Sequence, residues 1–129
     1  MDEQPLSESQ GSRVAFWVVA SLGVLASVVS WSWYGMAQEE AQSEQSKAVS
    51  AGTSMAGFAE LVGGVPLVIA HLVGLGLLLV FGWGGFRRRG VVLAMCAVAV
   101  ASVIGMICAQ LLWAGELFDL GIDNDTYVP

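Results

Sequence analysis

An uncharged apolar run from Leu61 to Phe86, followed directly by three consecutive arginines, constrains this chain more than any other stretch. As a helix rising ~1.5 Å per residue, the run is about 39 Å long, enough to cross a ~30 Å hydrocarbon core with some tilt. A segment in lipid must satisfy its own backbone polar groups, which a single helix does. The sequence therefore predicts a transmembrane helix over residues 61–86 and an arginine-rich turn over residues 87–90.

Two further apolar runs lie on either side of this one. Residues 13–37 are uncharged after Arg13, and residues 91–115 follow the arginine-rich turn at once. Tryptophans stand near the ends of all three runs, where interfacial aromatic belts are expected. Apolar residues make up 56% of the chain and charged residues 12%, whereas soluble domains have ~45–50% and ~25%. The fold class predicted is all-α: a small polytopic membrane protein with three transmembrane helices.

The polar segments are short. Residues 1–12 are acidic and without an apolar period, which predicts a flexible tail. Residues 38–60 begin with good helix formers and continue with AGTSMAG, so they predict a helical extension of the first span and then a turn. Residues 116–129 predict an acidic tail. The first span could instead be a cleaved signal peptide, but its apolar run exceeds the ~7–15 residues of a signal core and follows an acidic segment.

Charge asymmetry predicts the orientation of the chain. Three crossings place the four arginines (Arg13, Arg87, Arg88 and Arg89) on one side of the membrane. The other side receives eight carboxylates and only Lys47. By the positive-inside rule the arginine side is cytoplasmic. We therefore expect the N-terminus inside and the C-terminus outside.

Small residues predict how the helices pack. In lipid, helices associate through close packing at small residues and through interhelical hydrogen bonds. The third span carries such residues at every fourth position, and the first two spans carry shorter versions; the positions are Ala97, Ala101, Gly105 and Ala109, then Ala70 and Gly74, then Gly23 with Ser27 and Ala26 with Ser30. These positions predict contacts within the three-helix bundle or, alternatively, a surface for a partner.

His71 is the only histidine and lies near the middle of the second span. An ionisable group inside a membrane is a candidate functional site by default. A neutral imidazole bonded to Ser102, Ser27 or a backbone carbonyl is the favoured interpretation; proton relay, haem or chlorophyll ligation and ion binding are the alternatives. Haem between helices usually needs a second axial ligand, and the chain has no second histidine. A catalytic pair of His71 with Ser102 lacks a nucleophile motif.

The acidic tail does not complete a calcium loop, because the required glycine and glutamate are missing. The sequence thus indicates no cofactor, no metal site and no nucleic-acid partner, and it predicts a protein that is not an enzyme. A single lysine, many Ala, Val and Gly residues and an acidic balance suit a bacterial or archaeal plasma membrane. Besides the lipid bilayer, we expect a larger integral membrane complex as partner.

Two function classes remain open. The first is an accessory or structural subunit of a larger membrane complex, respiratory or transport, that docks through small-residue helix faces. The arrangement of three spans with the N-terminus inside resembles the small three-helix subunit of bacterial terminal oxidases, with which it shares no diagnostic motif. The second class is a self-assembling pore, transporter or holin-like permeabiliser. A pore would need a polar stripe along one helix, whereas the polar residues are scattered over the three spans.

Overall fold

The computed structural model of the protein describes residues 3–118, with side chains from residue 8 onward. Helix α1 spans Glu3–Ser50, α2 spans Val65–Phe86 and α3 spans Arg88–Leu112; a π-helical turn, Glu60–Gly64, leads directly into α2. Each of the three helices packs against the other two. This part of the chain is therefore an all-helical bundle in which α2 and α3 form a tight hairpin.

The surface of the bundle is apolar. All three helices are long and apolar enough to cross a membrane, and only 6% to 17% of the residues in their most apolar windows are buried inside the bundle. Large side chains such as Leu25, Val80 and Leu111 are 64%, 68% and 77% exposed. A soluble monomer rarely exposes so much contiguous apolar surface. The surface suits lipid, in agreement with the predicted membrane location.

One residue from each helix forms the core at the arginine-rich end. Phe16, Leu78 and Ala94 are at most 3% exposed and contact one another. Beside them, α2 and α3 touch at two glycines: a Cβ on Gly82 would lie 2.7 Å from the Gly90 carbonyl oxygen, and one on Gly90 would overlap the Gly82 carbonyl. Only glycine permits this approach, and it allows the hairpin to close through a single connecting residue.

Helix α1 begins earlier than the sequence indicates. Residues 3–12, for which a flexible tail is predicted, are helical. Pro5 falls in the first turn, where a missing N–H costs nothing, and glutamate, glutamine and leucine around it favour helix. Two bonds then attach this end to α2: Ser9 Oγ and Arg13 Nε donate to the Gly85 carbonyl at 3.4 and 2.9 Å. Tertiary contacts thus support a segment whose composition alone suggested a tail.

At the opposite end, α1 continues to Ser50 beyond its apolar run, and the chain turns back over residues 51–57. This is where the sequence places the helical extension and the turn. Glycines with φ of 78° and 80°, Gly52 and Gly57, occur in the turn. Ala41 and Ala59 are buried where the extension packs against the returning chain. Gln45 Oε1 accepts a bond from the Met55 N–H at 2.8 Å, which fixes the turn to α1.

The boundaries of α3 differ slightly from those predicted. Arg87, with φ 56°, is the only residue between α2 and α3, so α3 includes part of the predicted turn. The helix ends at Leu112 rather than near residue 115, because Ala114 and Gly115 adopt positive φ and donate to the carbonyls of Leu111 and Gln110. These two bonds form a Schellman cap. Of the predicted acidic tail, residues 119–129 lie outside the described residues, as do residues 1–2 of the amino-terminal segment.

Candidate functional site

The small-residue stripe of α3 faces α1. Ala101, Gly105 and Ala109 are buried, with Ala109 fully so, and Ala97 is half-buried beside the core. A stripe of small side chains lets two helix backbones approach closely. In this structure the close approach at Gly105 is between α3 and α1 of the same chain.

The closest point of this interface joins Ser27 to Gly105. A Cβ on Gly105 would lie 2.5 Å from Ser27 Oγ and 2.7 Å from the Ser27 carbonyl oxygen. Ser27 is 6% exposed, and its Oγ has no hydrogen-bond partner among the described residues. The interface of α1 with α3 is therefore a backbone-to-backbone contact with no room for one more carbon.

The other small residues lie around an open groove. The groove has a volume of about 450 Å³ and is bounded by α1 on one side and by α2 on the other, with α3 as its floor. We call it the α1–α2 groove; it is lined by Val19, Leu22, Gly23, Ala26 and Ser30, by Ala70, His71, Val73, Gly74 and Leu77, and by Ala97, Val98 and Ala101. A Cβ on Gly23 or Gly74 would meet nothing within 4 Å. These two glycines thus do not make the contact that their spacing allows.

His71 lies at one end of the groove and is half-buried. Its Nδ1 is 2.8 Å from the Leu67 carbonyl oxygen, one turn earlier in α2. Because a carbonyl can only accept, this contact assigns a proton to Nδ1. The observed partner is the backbone carbonyl among the three that the sequence leaves open.

Trp31 contacts both polar residues that the sequence expects to meet. Its indole Nε1 donates to Ser102 Oγ at 3.2 Å, and its ring packs edge-on to His71 with centroids 6.4 Å apart. Tyr34 and Phe118 pack on the same indole. His71 and Ser102 are therefore linked through Trp31, and Ser102 Oγ accepts a hydrogen bond, which does not activate it as a nucleophile.

The sequence reading missed a second tryptophan contact. Trp33 Nε1 donates to the Val62 carbonyl at 2.8 Å. The usual donor to that carbonyl would be the N–H of residue 66, which is proline and has none. Nearby, a Cβ on Gly63 would lie 2.9 Å from Ala37 Cβ. The signal for this site was Pro66 four residues after Val62, which indicates a free carbonyl in the first turns of the helix.

The four arginines gather at one end of the bundle. Arg13 from α1 bonds to the end of α2, close to Arg87 in the α2–α3 connection and to the first turn of α3 with Arg88 and Arg89; all four arginines are exposed. A cleft of about 730 Å³, which we call the arginine-rich cleft, is lined by Arg13, Arg87 and Arg89. The structure thus brings the predicted topology residues together at one end, as three crossings require.

In the part of the chain that the structure describes, no three His, Cys, Asp or Glu side chains lie close enough together to hold a metal ion. Polar groups inside the helices are mostly held by local bonds. Ser21 Oγ donates to the Trp17 carbonyl, and Ser30 Oγ donates to the Ser27 carbonyl. No protein-family model, curated protein or solved structure matches this chain. The α1–α2 groove and the arginine-rich cleft are two cavities of the described residues in which a ligand or partner could bind.

Proposed function

We propose that the protein is a non-catalytic accessory subunit of a larger integral membrane complex in a prokaryotic plasma membrane, with the N-terminus inside and the C-terminus outside. The α1–α2 groove is the observation that carries this proposal, because it combines small residues with an open face. The arginines at one end of the bundle support the orientation through the positive-inside rule.

The dimensions of the groove suit a helix of the partner. Its α1 wall, residues 19–30, is about 16 Å long at ~1.5 Å per residue, which corresponds to three turns of a facing helix. Gly23 lies on its α1 wall and Gly74 on its α2 wall, and a Cβ on either would meet nothing within 4 Å. Small residues on an open face allow a second backbone, or large side chains projecting from it, to approach closely. The partner expected is an apolar transmembrane helix that fills the groove with Leu-sized or Phe-sized side chains.

The polar residues do not favour the alternative of a self-assembling pore. A pore needs polar groups along one exposed face. Here Ser21, Ser30 and Ser102 make hydrogen bonds within the bundle. Gln110 accepts from the Leu117 N–H at 3.1 Å. The arrangement supports a subunit that presents an apolar face to a partner rather than a polar face to water.

Affinity capture after mild solubilisation of the native membrane tests the proposal. Gly23→Leu and Gly74→Leu add apolar side chains to the groove at Cβ positions that have no atom within 4 Å. Gly76→Leu is the matched control, because Gly76 is equally open but lies outside the groove. We expect the wild type and Gly76→Leu to recover a larger membrane protein in fixed stoichiometry. Both groove variants should recover about tenfold less of this partner, which corresponds to a loss of ~1.4 kcal/mol in binding free energy.

Two outcomes would count against the proposal: the first contradicts the subunit function itself, and the second contradicts only the role of the groove. One is recovery of the wild type alone, as a homo-oligomer that conducts ions in liposomes; His71→Ala in a conductance assay would then be the next measurement. The other is equal recovery of the partner by Gly74→Leu and by Gly76→Leu. In that case a complex exists, but the groove is not the surface that forms it.

A further inference from the structure

At the arginine-rich end, a cleft separates the first turns of α1 from the α2–α3 connection. Its volume is about 730 Å³, and its charged lining consists of Arg13, Arg87 and Arg89 with the single carboxylate of Glu8. Ser9 and Ser12 add hydroxyl groups. We propose that this cleft binds a phosphate group, carried in the membrane by the headgroup of an anionic lipid.

The arginines come from separate elements and converge on one space. Arg13 is held by its Nε bond to the Gly85 carbonyl, 2.9 Å long, and its guanidinium carbon lies 5.1 Å from the centroid of the Phe86 ring. These contacts fix the guanidinium plane while using only one of its five N–H donors. Arginine presents paired N–H groups that match phosphate oxygens. A tetrahedral phosphate is therefore a better ligand for three convergent guanidinium groups than a planar carboxylate.

The position of Arg89 in the first turn of α3 is a second reason to expect a bound anion. Arg88 and Arg89 begin α3, where the helix dipole is already positive. Basic residues at that end are electrostatically unfavourable, and an anion in the cleft compensates both the dipole and the side-chain charges. Glu8, the carboxylate of the cleft, is not within salt-bridge distance of these arginines among the described residues.

The depth of the cleft indicates the source of the phosphate. Trp17 follows Arg13 by one turn, and Trp83 precedes Arg87 by one turn; both are about half exposed and lie at the level expected of interfacial aromatic side chains. Headgroup phosphates lie at that level, and basic pockets between transmembrane helices bind anionic headgroups. A lipid in the cleft would link the start of α1 to the α2–α3 connection, independently of the groove and its partner.

Native mass spectrometry of the full chain, purified with phosphatidylcholine and phosphatidylglycerol in equal amounts, tests the proposal. We expect the wild type to retain phosphatidylglycerol preferentially, and Arg87→Gln and Arg89→Gln each to lower its retention about fivefold, since an arginine that contacts an anionic headgroup contributes ~1 kcal/mol. Arg88→Gln is the matched control: it removes the same charge from the same turn, but Arg88 does not line the cleft. Retention by this variant should equal that of the wild type.

Competition with millimolar inorganic phosphate distinguishes a lipid from a soluble ligand. If phosphate alone binds with the same dependence on Arg87 and Arg89, the phosphate site is supported and its ligand is the free anion. Equal loss of phosphatidylglycerol in Arg88→Gln and Arg89→Gln would overturn the proposal, because it would show diffuse attraction to a charged surface. Equal retention of the two lipids by the wild type would overturn it as well. All three side chains are exposed, so circular dichroism should show the same helix content in every variant.

Discussion

The α1–α3 interface and the α1–α2 groove are built from the same kind of residue but have opposite structures. At the interface, Gly105 brings α3 against the backbone of Ser27. At the groove, Gly23 and Gly74 have nothing within 4 Å of a Cβ position. The comparison teaches that small residues four apart mark where helices can approach, while other side chains decide whether they do.

Large side chains at both ends of the groove explain the difference. Phe16 and Leu78 are buried together between α1 and α2 at one end. Trp31 and His71 pack edge-on at the other, with ring centroids 6.4 Å apart. These pairs act as spacers between α1 and α2, whereas α3 presents its stripe to α1. Small residues four apart therefore make a close contact at the α1–α3 interface but line an open space at the α1–α2 groove.

Gly105→Ala is the largest expected effect and the most direct way to break this comparison. The added methyl would overlap Ser27 Oγ at 2.5 Å and the Ser27 carbonyl oxygen at 2.7 Å, and the backbone atoms cannot rotate away. Overpacking of this kind costs about 1–3 kcal/mol. Unfolding by added dodecyl sulfate in mixed micelles, followed by tryptophan fluorescence, should show the loss of stability.

Gly74→Ala provides the matched control in the groove. The same methyl meets open space there, and replacing a helical glycine by alanine lowers the entropy lost on folding. The variant should be as stable as the wild type or more stable by about 0.5–1 kcal/mol. If both alanine variants lose stability equally, the groove is closed in the folded protein and the comparison fails.

Trp33→Phe tests the hydrogen bond between Trp33 of α1 and the Val62 carbonyl, beyond the His71 end of the groove. It removes the donor to the Val62 carbonyl, and residue 66 cannot replace it. We expect a loss of about 1 kcal/mol, the net value of one hydrogen bond. The same unfolding titration applies. In a Pro66→Ala background the N–H of residue 66 supplies the missing donor, so Trp33→Phe should cost measurably less. Equal costs in the two backgrounds would show that the indole bond does not compensate for the proline.

The sequence predicts three apolar helices, the single tight connection after Phe86 and the turn after Ser50, because length, hydropathy and glycine content are local properties. The contacts within the bundle depend on how each helix is rotated about its own axis. In lipid the outward face is as apolar as the inward face, so the sequence pattern does not specify this rotation. For that reason Gly82, Gly90 and Trp31 could not be assigned from the sequence, and the roles of Gly23 and Gly74 stayed open. The helical start of α1 at Glu3 was not predicted either, and the bonds from Ser9 and Arg13 that attach this end of α1 to the Gly85 carbonyl join residues far apart in the chain.

The smallest expected effect belongs to the exposed face of the helical extension, where one polar pair lies apart from the buried contacts of Ala41 and Ala59. Lys47 Nζ donates to Glu44 Oε1 at 2.7 Å, and this hydrogen bond, with the charge of Glu44, raises the pKa of the lysine above its usual value. Since the folded-state pKa is raised, the pair stabilises α1 fully at pH values below the unfolded pKa of about 10.4. Its contribution is lost as the pH rises through the folded-state pKa.

A carbon-13 titration of the Lys47 side chain measures this shift. Glu44→Gln should lower the pKa towards its usual value, with the charge of Glu40 still present, and it should leave the unfolding transition of the bundle almost unchanged, because the Lys47 side chain is exposed to solvent. If Glu44→Gln lowers stability as much as Gly105→Ala does, the extension is held by more than this exposed pair. The contrast between close packing inside the bundle and an exposed polar pair on the extension would then be wrong.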